Sequence, residues 1–345
     1  MTRHIKICAL PGDGIGPEVV ACALRVLKAL PIYSTVVTAD IGYAAYLKHG
    51  TPLPENTLAA IRTSGAALLG AVTTPPNIQG YFSPIVRMRQ SLDLYANLRP
   101  CVSIQHPSSK QGINFMLFRE NTEGMYSGIE RVEDNGERAI TERVITRKAS
   151  ERIVRKAFDY AVATGRKSVH IVHKANVLRE TCGLFLRTAR QVAAEYPMIE
   201  PKELIVDACA MEIVRRPEQF EVIVTTNLFG DILSDEASMF VGGLGLAASG
   251  NIGLDASVFE PVHGSAPDLV GKGSANPIAT ILALAMLLDH VGEPVLAGQV
   301  RTAVDHCIMF GATTPDLDGQ CTTTEATDAI LDELKTVLRE AKEEQ

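Results

Sequence analysis

The stretch EVIVTTNLFGDILSDEAS, residues 221–238, joins a β-branched run directly to a helical pattern that carries two carboxylates. Val222, Ile223 and Val224 read as a buried strand. Phe229, Ile232, Leu233, Ala237 and Phe240 then recur at helical spacing, which predicts a helix with a buried apolar stripe. Asp231 and Asp235 stand one turn apart on the neighbouring face, where like charges repel by a few tenths of a kcal/mol. A solvated acidic face accounts for such a pair, and so does a cation held between the two carboxylates.

The same strand-then-helix grammar runs outward in both directions. IKICAL (5–10) leads into GPEVVACALRVLKAL (16–30), and AALLGAV (66–72) closes another helix–strand step. SVHIVHK (168–174) precedes VLRETCGLFLRTARQVAAEY (177–196), and ELIVDA (203–208) precedes a further helical pattern. This alternation predicts an α/β protein built on a largely parallel sheet. In such sheets chemistry gathers where strands end, and Lys174, Asp207 and Asp231 each follow a strand. MYSGIERVEDNGERAITERVITR (125–147) departs from the alternation. Its EDNG turn between alternating segments predicts a projecting β-hairpin, either a subunit clasp or an exposed flap.

With 345 residues the chain can bury a substantial core and fill about two domains. A net charge of −7 and sparse aromatics, 5% with no Trp, argue against nucleic-acid binding and against an anionic membrane surface. The longest apolar run, PIATILALAMLLDH (277–290), is shorter than the roughly 18–20 residues of a membrane span and reads as a buried helix. Nothing at the N-terminus reads as a signal peptide. Seven cysteines, odd in number and without a C-x-x-C, read as reduced thiols of a cytoplasmic protein.

Asp207, Asp231 and Asp235 offer oxygen donors of the kind that suit Mg²⁺ or Mn²⁺, whereas no His/Cys set has zinc spacing. Arginines supply the complement. SPIVRMRQSLDLYANLRP (83–100) carries Arg87, Arg89 and Arg99, and MLFRENTEGMY (116–126) adds Arg119 at the end of an apolar strand, with Tyr126 beyond it. Arginine forks grip carboxylates in pairs of bonds, so the set points to a small substrate with several carboxylates. LPGDGIGPEVV (10–20) follows a strand and opens a helix, but its glycines read G-x-G-x-G and do not match the Rossmann spacing. FEPVHGSAPDLVGKGSANP (259–277) is the better nucleotide loop. Its small residues allow close backbone approach, and Asp268 suits a ribose hydroxyl pair while repelling a 2′-phosphate, which favours NAD over NADP.

Taken together and in order, GDGIGPE, LDLYANLRP, RENTEGMY, HKANVL, NLFGDILSDEAS, GGLGLAASGNIG and EPVHGSAPDLVGKGSANP resemble the metal-dependent β-decarboxylating dehydrogenases. That family contains the isocitrate, 3-isopropylmalate and homoisocitrate enzymes. The resemblance covers essentially the whole chain. It implies an isopropylmalate-dehydrogenase-like, non-Rossmann α/β fold of two domains, 1–97 with 248–345 and 98–247, with a hairpin clasp near 126–147. It also implies a homodimer or dimer of dimers with shared active sites.

Carried over by motif, Ser83, Arg89, Arg99 and Arg119 bind substrate, and Tyr126 acts as general acid with Lys174 of the partner subunit aiding proton removal. Asp231 and Asp235 bind the metal, joined by Asp207 of the partner subunit. Thr73, Asn176, Glu260, His263, Gly264, Ser265, Ala266, Asp268 and Asn276 surround NAD. The helix face of QGYFSPIVRMR (79–89) meets the variable 3-substituent of the malate. Ile85 stands where isocitrate enzymes carry Asn, and Phe82 where isopropylmalate enzymes carry an acid, so SPIV resembles the homoisocitrate type most closely. Isopropylmalate and isocitrate are the alternatives. A non-catalytic regulatory subunit is disfavoured because the metal aspartates, Tyr126 and Lys174 are all present.

Overall fold

In the computed structural model, which describes residues 4–75, 78 and 80–343, Val222–Thr225 is a fully buried strand and Asn227–Ser238 the helix that follows it. Twelve strands are present among the described residues. In chain order they are β1 (His4–Gly12), β2 (Tyr33–Thr38), β3 (Ala66–Ala71), β4 (Ala96–Val102), β5 (Asn114–Glu120) and β6 (Glu130–Glu133). Then come β7 (Arg138–Thr141), β8 (Ser168–His173), β9 (Glu200–Ile205), β10 (Val222–Thr225), β11 (Ala248–Ile252) and β12 (Ser257–Pro261).

The chain forms two units. The first comprises Met1–Leu92, Ile104–Gln111 and Phe240–Gln345, and the second Asp93–Ser103 and Gly112–Met239. In the first, the strands lie in the order β2-β1-β3-β12-β11, parallel except where β11 runs against β12. All six residues of β3 are buried, as a parallel strand covered on both faces requires. The apolar run at 277–290 is the helix Ile278–His290, whose Ile281, Leu284, Leu287 and Leu288 are fully buried. Each such side chain contributes about 1.5–3 kcal/mol relative to exposure. No helix among the described residues is long and apolar enough to cross a membrane.

In the second unit the order is β4-β5-β10-β8-β9, with β4 antiparallel to β5 and the other pairs parallel. Because β5, β10 and β8 run the same way, their carboxyl ends share one edge. Arg119, Asn227 and Lys174 stand at that edge for this reason. The hairpin is present: β6 pairs antiparallel with β7, and Asp134 and Asn135 adopt positive φ in the turn before Gly136. Those residue types tolerate the left-handed region, which is how the EDNG segment closes the turn.

One expectation is corrected. The buried face of helix Asn227–Ser238 is Asn227, Gly230, Leu233, Ser234, Ala237 and Ser238, while Ile232 is 59% exposed. Phe240 lies beyond the helix end. Small residues face inward because the helix sits hard against β5, where large side chains have no room.

Candidate active site

Arg119 is the centre of the second unit's site. It lies near the end of β5 and is 1% exposed, the largest of the fully buried side chains. A desolvated guanidinium demands partners in fixed geometry. Its Nε and Nη2 both donate to Asn227 Oδ1, at 3.0 and 2.8 Å, and its Nη1 donates to Asp231 Oδ1. Asn227 is fixed in turn by donating from Nδ2 to the Glu123 carbonyl at 3.0 Å.

Tyr126 completes the cluster. Its hydroxyl donates to Asp231 Oδ2, and its ring lies 5.2 Å from the Arg119 guanidinium carbon. Burial, and then the bond and charge of Asp231, push the phenol above its ordinary range, so it stays protonated and able to donate. Arg99, on β4, donates from Nε to Asn97 Oδ1 at 2.7 Å and from Nη1 to Asp235 Oδ1 at 3.4 Å. Asp235 is about half exposed. Burial raises its carboxyl, the Asp231 charge adds to that rise, and Arg99 opposes it. The arrangement brings two arginines, two carboxylates and a protonated phenol together around the helix Asn227–Ser238.

Lys174 and Asp207 form a separate pair. Lys174 Nζ donates to Asp207 Oδ1 at 2.5 Å, and this bond holds the exposed Asp207 carboxyl below its ordinary range. Among the described residues no three His, Cys, Asp or Glu side chains gather closely enough to hold a metal ion. Within one chain, then, Asp207 stands apart from Asp231 and Asp235. Asn176 is exposed in the turn after β8.

In the first unit Arg89 is 8% exposed and donates from Nη2 to Glu260 Oε1 at 3.2 Å. The same oxygen accepts from Asn251 Nδ2 at 2.7 Å. Ser83 caps the helix Pro84–Ser91, its Oγ accepting from Val86 N at 3.4 Å. Gln79, at the start of the expected specificity face, lies outside the described residues.

The segment 263–276 in this unit is shaped by close contacts. Thr73 Oγ1 donates to Ser265 Oγ at 2.8 Å, and Ile15 N donates to the Ser265 carbonyl at 3.0 Å. A Cβ on Gly14 would lie 1.9 Å from that carbonyl, and its φ is +61°, so GDGIG serves as a packing template. His263 donates from Nδ1 to the Gly264 carbonyl at 3.0 Å, its Nε2 is buried without a partner among the described residues, and burial lowers its pKa. Ala266 has φ +38°, and Asp268 is exposed on the turn that follows. Asn276 donates to Asp316 Oδ2 at 2.9 Å and accepts from Ile278 N at 2.9 Å.

Two residues escaped the sequence reading. Asn227 anchors Arg119, and Gly230 gives it passage, since a Cβ there would lie 2.6 Å from Arg119 Cβ. The only hint lay in the order Asn-x-x-Gly-Asp at a strand exit, which has no meaning until β5 and β10 are paired.

The chain matches the family model described as isocitrate/isopropylmalate dehydrogenase over residues 6–330. It is 50% identical to an isocitrate/homoisocitrate dehydrogenase of Thermus thermophilus over 96% of this chain and 99% of the relative. It is 44% identical to a homoisocitrate dehydrogenase of Methanocaldococcus jannaschii, over 97% and 99% of the two chains. Among solved structures, isocitrate dehydrogenase from Methylococcus capsulatus superposes with a TM-score of 0.93 at 49% identity, covering 96% of this chain and 99% of that one. The strand order, the buried arginine at a strand end and these matches agree: the chain belongs to the isocitrate/isopropylmalate dehydrogenase family and is a β-decarboxylating dehydrogenase.

Proposed function

We propose that the enzyme catalyses NAD-dependent oxidative decarboxylation of a 3-substituted malate, with homoisocitrate as the preferred substrate. The observation that carries this reading is the Arg119–Asp231–Tyr126 cluster with Arg99 and Asp235 beside it. It combines forks for carboxylates, oxygen donors for a hard cation and a protonated acid.

The residues fit the two groups the family implies. Asp231 and Asp235 suit Mg²⁺ or Mn²⁺, because such ions take one or two carboxylates and complete their shell with water and substrate oxygens. Asp235 keeps about half its side chain exposed and meets Arg99 at a long 3.4 Å, so its oxygens are open to a cation. For NAD, the Nε2 of a neutral His263, buried without a partner among the described residues, the exposed Gly264 and the exposed Asp268 suit an adenosine whose ribose keeps both hydroxyls. Ser265, Ala266, Asn276, Thr73, Asn176 and Glu260 are proposed as the remaining contacts. When bound, the ion supplies electron withdrawal from the 2-hydroxyl and adjacent carboxylate, and NAD⁺ supplies the hydride acceptor.

The chain's own residues do the rest. Arg99 and Arg119, with Arg89, hold the carboxylates and fix the substrate's orientation. Lys174 of the partner subunit takes the hydroxyl proton as the C2 hydrogen leaves with its electron pair. After the β-carboxylate departs as CO₂, the electrons of the broken C–C bond remain as an enolate. Tyr126 gives its phenolic proton to the enolate carbon, and the proton that Lys174 of the partner subunit took from the hydroxyl passes to the phenolate and restores it. Asp231 accepts the Tyr126 hydroxyl bond and so holds the acid in position. Asp207 of the partner subunit completes the acidic set, in a homodimer or dimer of dimers clasped by β6–β7. Six of the seven thiols are buried, and all seven are free, which supports a reducing, cytoplasmic setting.

Homoisocitrate is put first on the SPIV segment and on the relatives' names. Isocitrate is the second reading, favoured by the 49% identical solved structure that carries that name. Isopropylmalate follows. The test is kcat/KM for homoisocitrate, isopropylmalate and isocitrate, each with NAD⁺ and NADP⁺. The highest value is expected for homoisocitrate with NAD⁺. A highest value for isocitrate or isopropylmalate would refute the substrate, and a preference for NADP⁺ would refute the role given to Asp268.

A further inference from the structure

Asp13 is 7% exposed, sits in the GDGIG turn and has no part in the reaction described above. A buried carboxylate needs donors, and three backbone N–H groups supply them: Tyr43 N at 2.7 Å to Oδ2, Ala44 N at 2.8 Å to Oδ1 and Thr73 N at 2.7 Å to Oδ2. The fit is tight. A Cβ on Gly42 would lie 2.2 Å from Asp13 Oδ2, so the chain carries glycine where it passes the carboxylate. Asp13 N itself donates to the Ala71 carbonyl at 2.8 Å.

The bond to Thr73 N is the one with a consequence. Thr73 passes the constraint on, since its Oγ1 donates to Ser265 Oγ at 2.8 Å and its carbonyl accepts from the Tyr81 hydroxyl at 2.9 Å. Two residues on from Asp13, Ile15 N holds the Ser265 carbonyl at 3.0 Å. Thr73 and Ser265 come from distant parts of the chain, and both are proposed dinucleotide contacts. The carboxylate thus fixes Thr73, which bonds Ser265 in turn, while the backbone of the same turn holds the Ser265 carbonyl through Ile15 N. Charge-assisted bonds of this kind are about twice as strong as neutral ones.

We propose that Asp13 is a positioning residue of the dinucleotide site, acting through Thr73 on Ser265 and touching neither NAD nor substrate. The inference rests on the assignment of the first unit to NAD. Asp13→Asn keeps the size of the side chain but replaces one acceptor oxygen with an NH₂ that faces N–H donors. Thr73→Val removes the hydroxyl that bonds Ser265, on a residue that is itself a proposed cofactor contact, and leaves the backbone bond to Asp13, while Thr73→Ser retains both.

The experiment is titration of the full-length protein with NADH, read by the cofactor's own fluorescence, alongside KM for NAD⁺ and for the hydroxy-acid and a thermal melt of each variant. Asp13→Asn is expected to weaken NADH binding by about tenfold or more. Its KM for NAD⁺ rises in step while KM for the hydroxy-acid stays within twofold. Thr73→Val is expected to shift NADH binding in the same direction, and Thr73→Ser to stay within twofold of wild type. Should Asp13→Asn fail to fold, Gly42→Ala decides, since its Cβ would crowd Asp13 Oδ2 at 2.2 Å and leave the Thr73 and Ser265 side chains unchanged. A folded Asp13→Asn, or failing that a Gly42→Ala, with wild-type NADH affinity would overturn the inference, as would an equal loss of cofactor and substrate binding. A wild-type protein that binds neither NADH nor NADPH would instead overturn the functional reading, and the inference with it.

Discussion

Replacing Gly230 by Ala sets two effects of opposite sign against each other. Gly230 lies inside the helix Asn227–Ser238, where Ala is favoured over Gly by about 1 kcal/mol. On propensity alone the change stabilises. The added Cβ, however, would lie 2.6 Å from Arg119 Cβ, 2.7 Å from its Cγ and 3.2 Å from its Cα. Carbon contacts settle at about 3.5–4.0 Å, so about 1 Å of room must be found. Arg119 cannot withdraw, because β5 is paired on both sides, with Asn97 on β4 and Thr225 on β10. The helix must move, and it carries Asn227, Asp231 and Asp235 with it. Overpacking of this kind costs about 1–3 kcal/mol, which meets or exceeds the propensity gain. The expected melt is unchanged to a few degrees lower. Activity responds more steeply, since a 1 Å misplacement at a site can lower turnover about 100-fold. The assay is kcat/KM on the best substrate together with Tm. A Gly230→Ala enzyme with wild-type kcat/KM and a raised Tm would refute the reasoning.

Two further substitutions probe the acids. Tyr126→Phe removes the hydroxyl bonded to Asp231 and is expected to slow decarboxylation and enol protonation more than hydride transfer. Comparing NAD⁺ reduction with CO₂ release and with turnover of the 2-oxo acid reads this, and full turnover in every assay would show that the acid is another group. Glu123 is 9% exposed, accepts from Thr146 N at 2.9 and 3.1 Å and from Thr146 Oγ1 at 2.8 Å, and is pushed by burial from 4.5 to about 7. A carboxyl whose folded pKa is raised stabilises fully below its unfolded value and loses that contribution as pH rises toward the folded one. Glu123→Gln cannot ionise, so its stability relative to wild type is expected to improve as pH goes from about 4.5 to 7. Denaturant melts at stepped pH test this, and a gap that is flat or widens against Gln contradicts the burial argument.

Much of the fold was readable because strand and helix periods differ. The β-branched runs before Lys174 and Asp231 fixed where strands end, and the EDNG turn marked its hairpin. The orientation of helix Asn227–Ser238 was misread because hydrophobicity alone pointed to Phe229 and Ile232. What turns the helix is the bulk of Arg119 on another strand, which only small residues accommodate. Asn227 was unreadable for the same reason: its partner lies 108 positions away and meets it through the parallel pairing of β5 with β10. Asp13 drew no reading of its own, because only the glycine spacing of its segment is legible, and its carboxylate is engaged by backbone donors from distant parts of the chain. Of the acidic triplet, Asp231 and Asp235 lie on one helix, while Asp207 is paired with Lys174, and its proposed place is in the partner's site.

That proposed placement has a decisive measurement. If Asp207 serves the neighbouring subunit, chains carrying Asp207→Asn and chains carrying Asp231→Asn are each inactive alone. A mixed dimer of the two, purified through separate tags, contains one site with both carboxylates intact. The account predicts that mixing restores about half of wild-type activity per dimer, together with tight Mn²⁺ binding at one site. A mixed dimer as inactive as either parent would place Asp207 outside the partner's site and contradict the shared active centre.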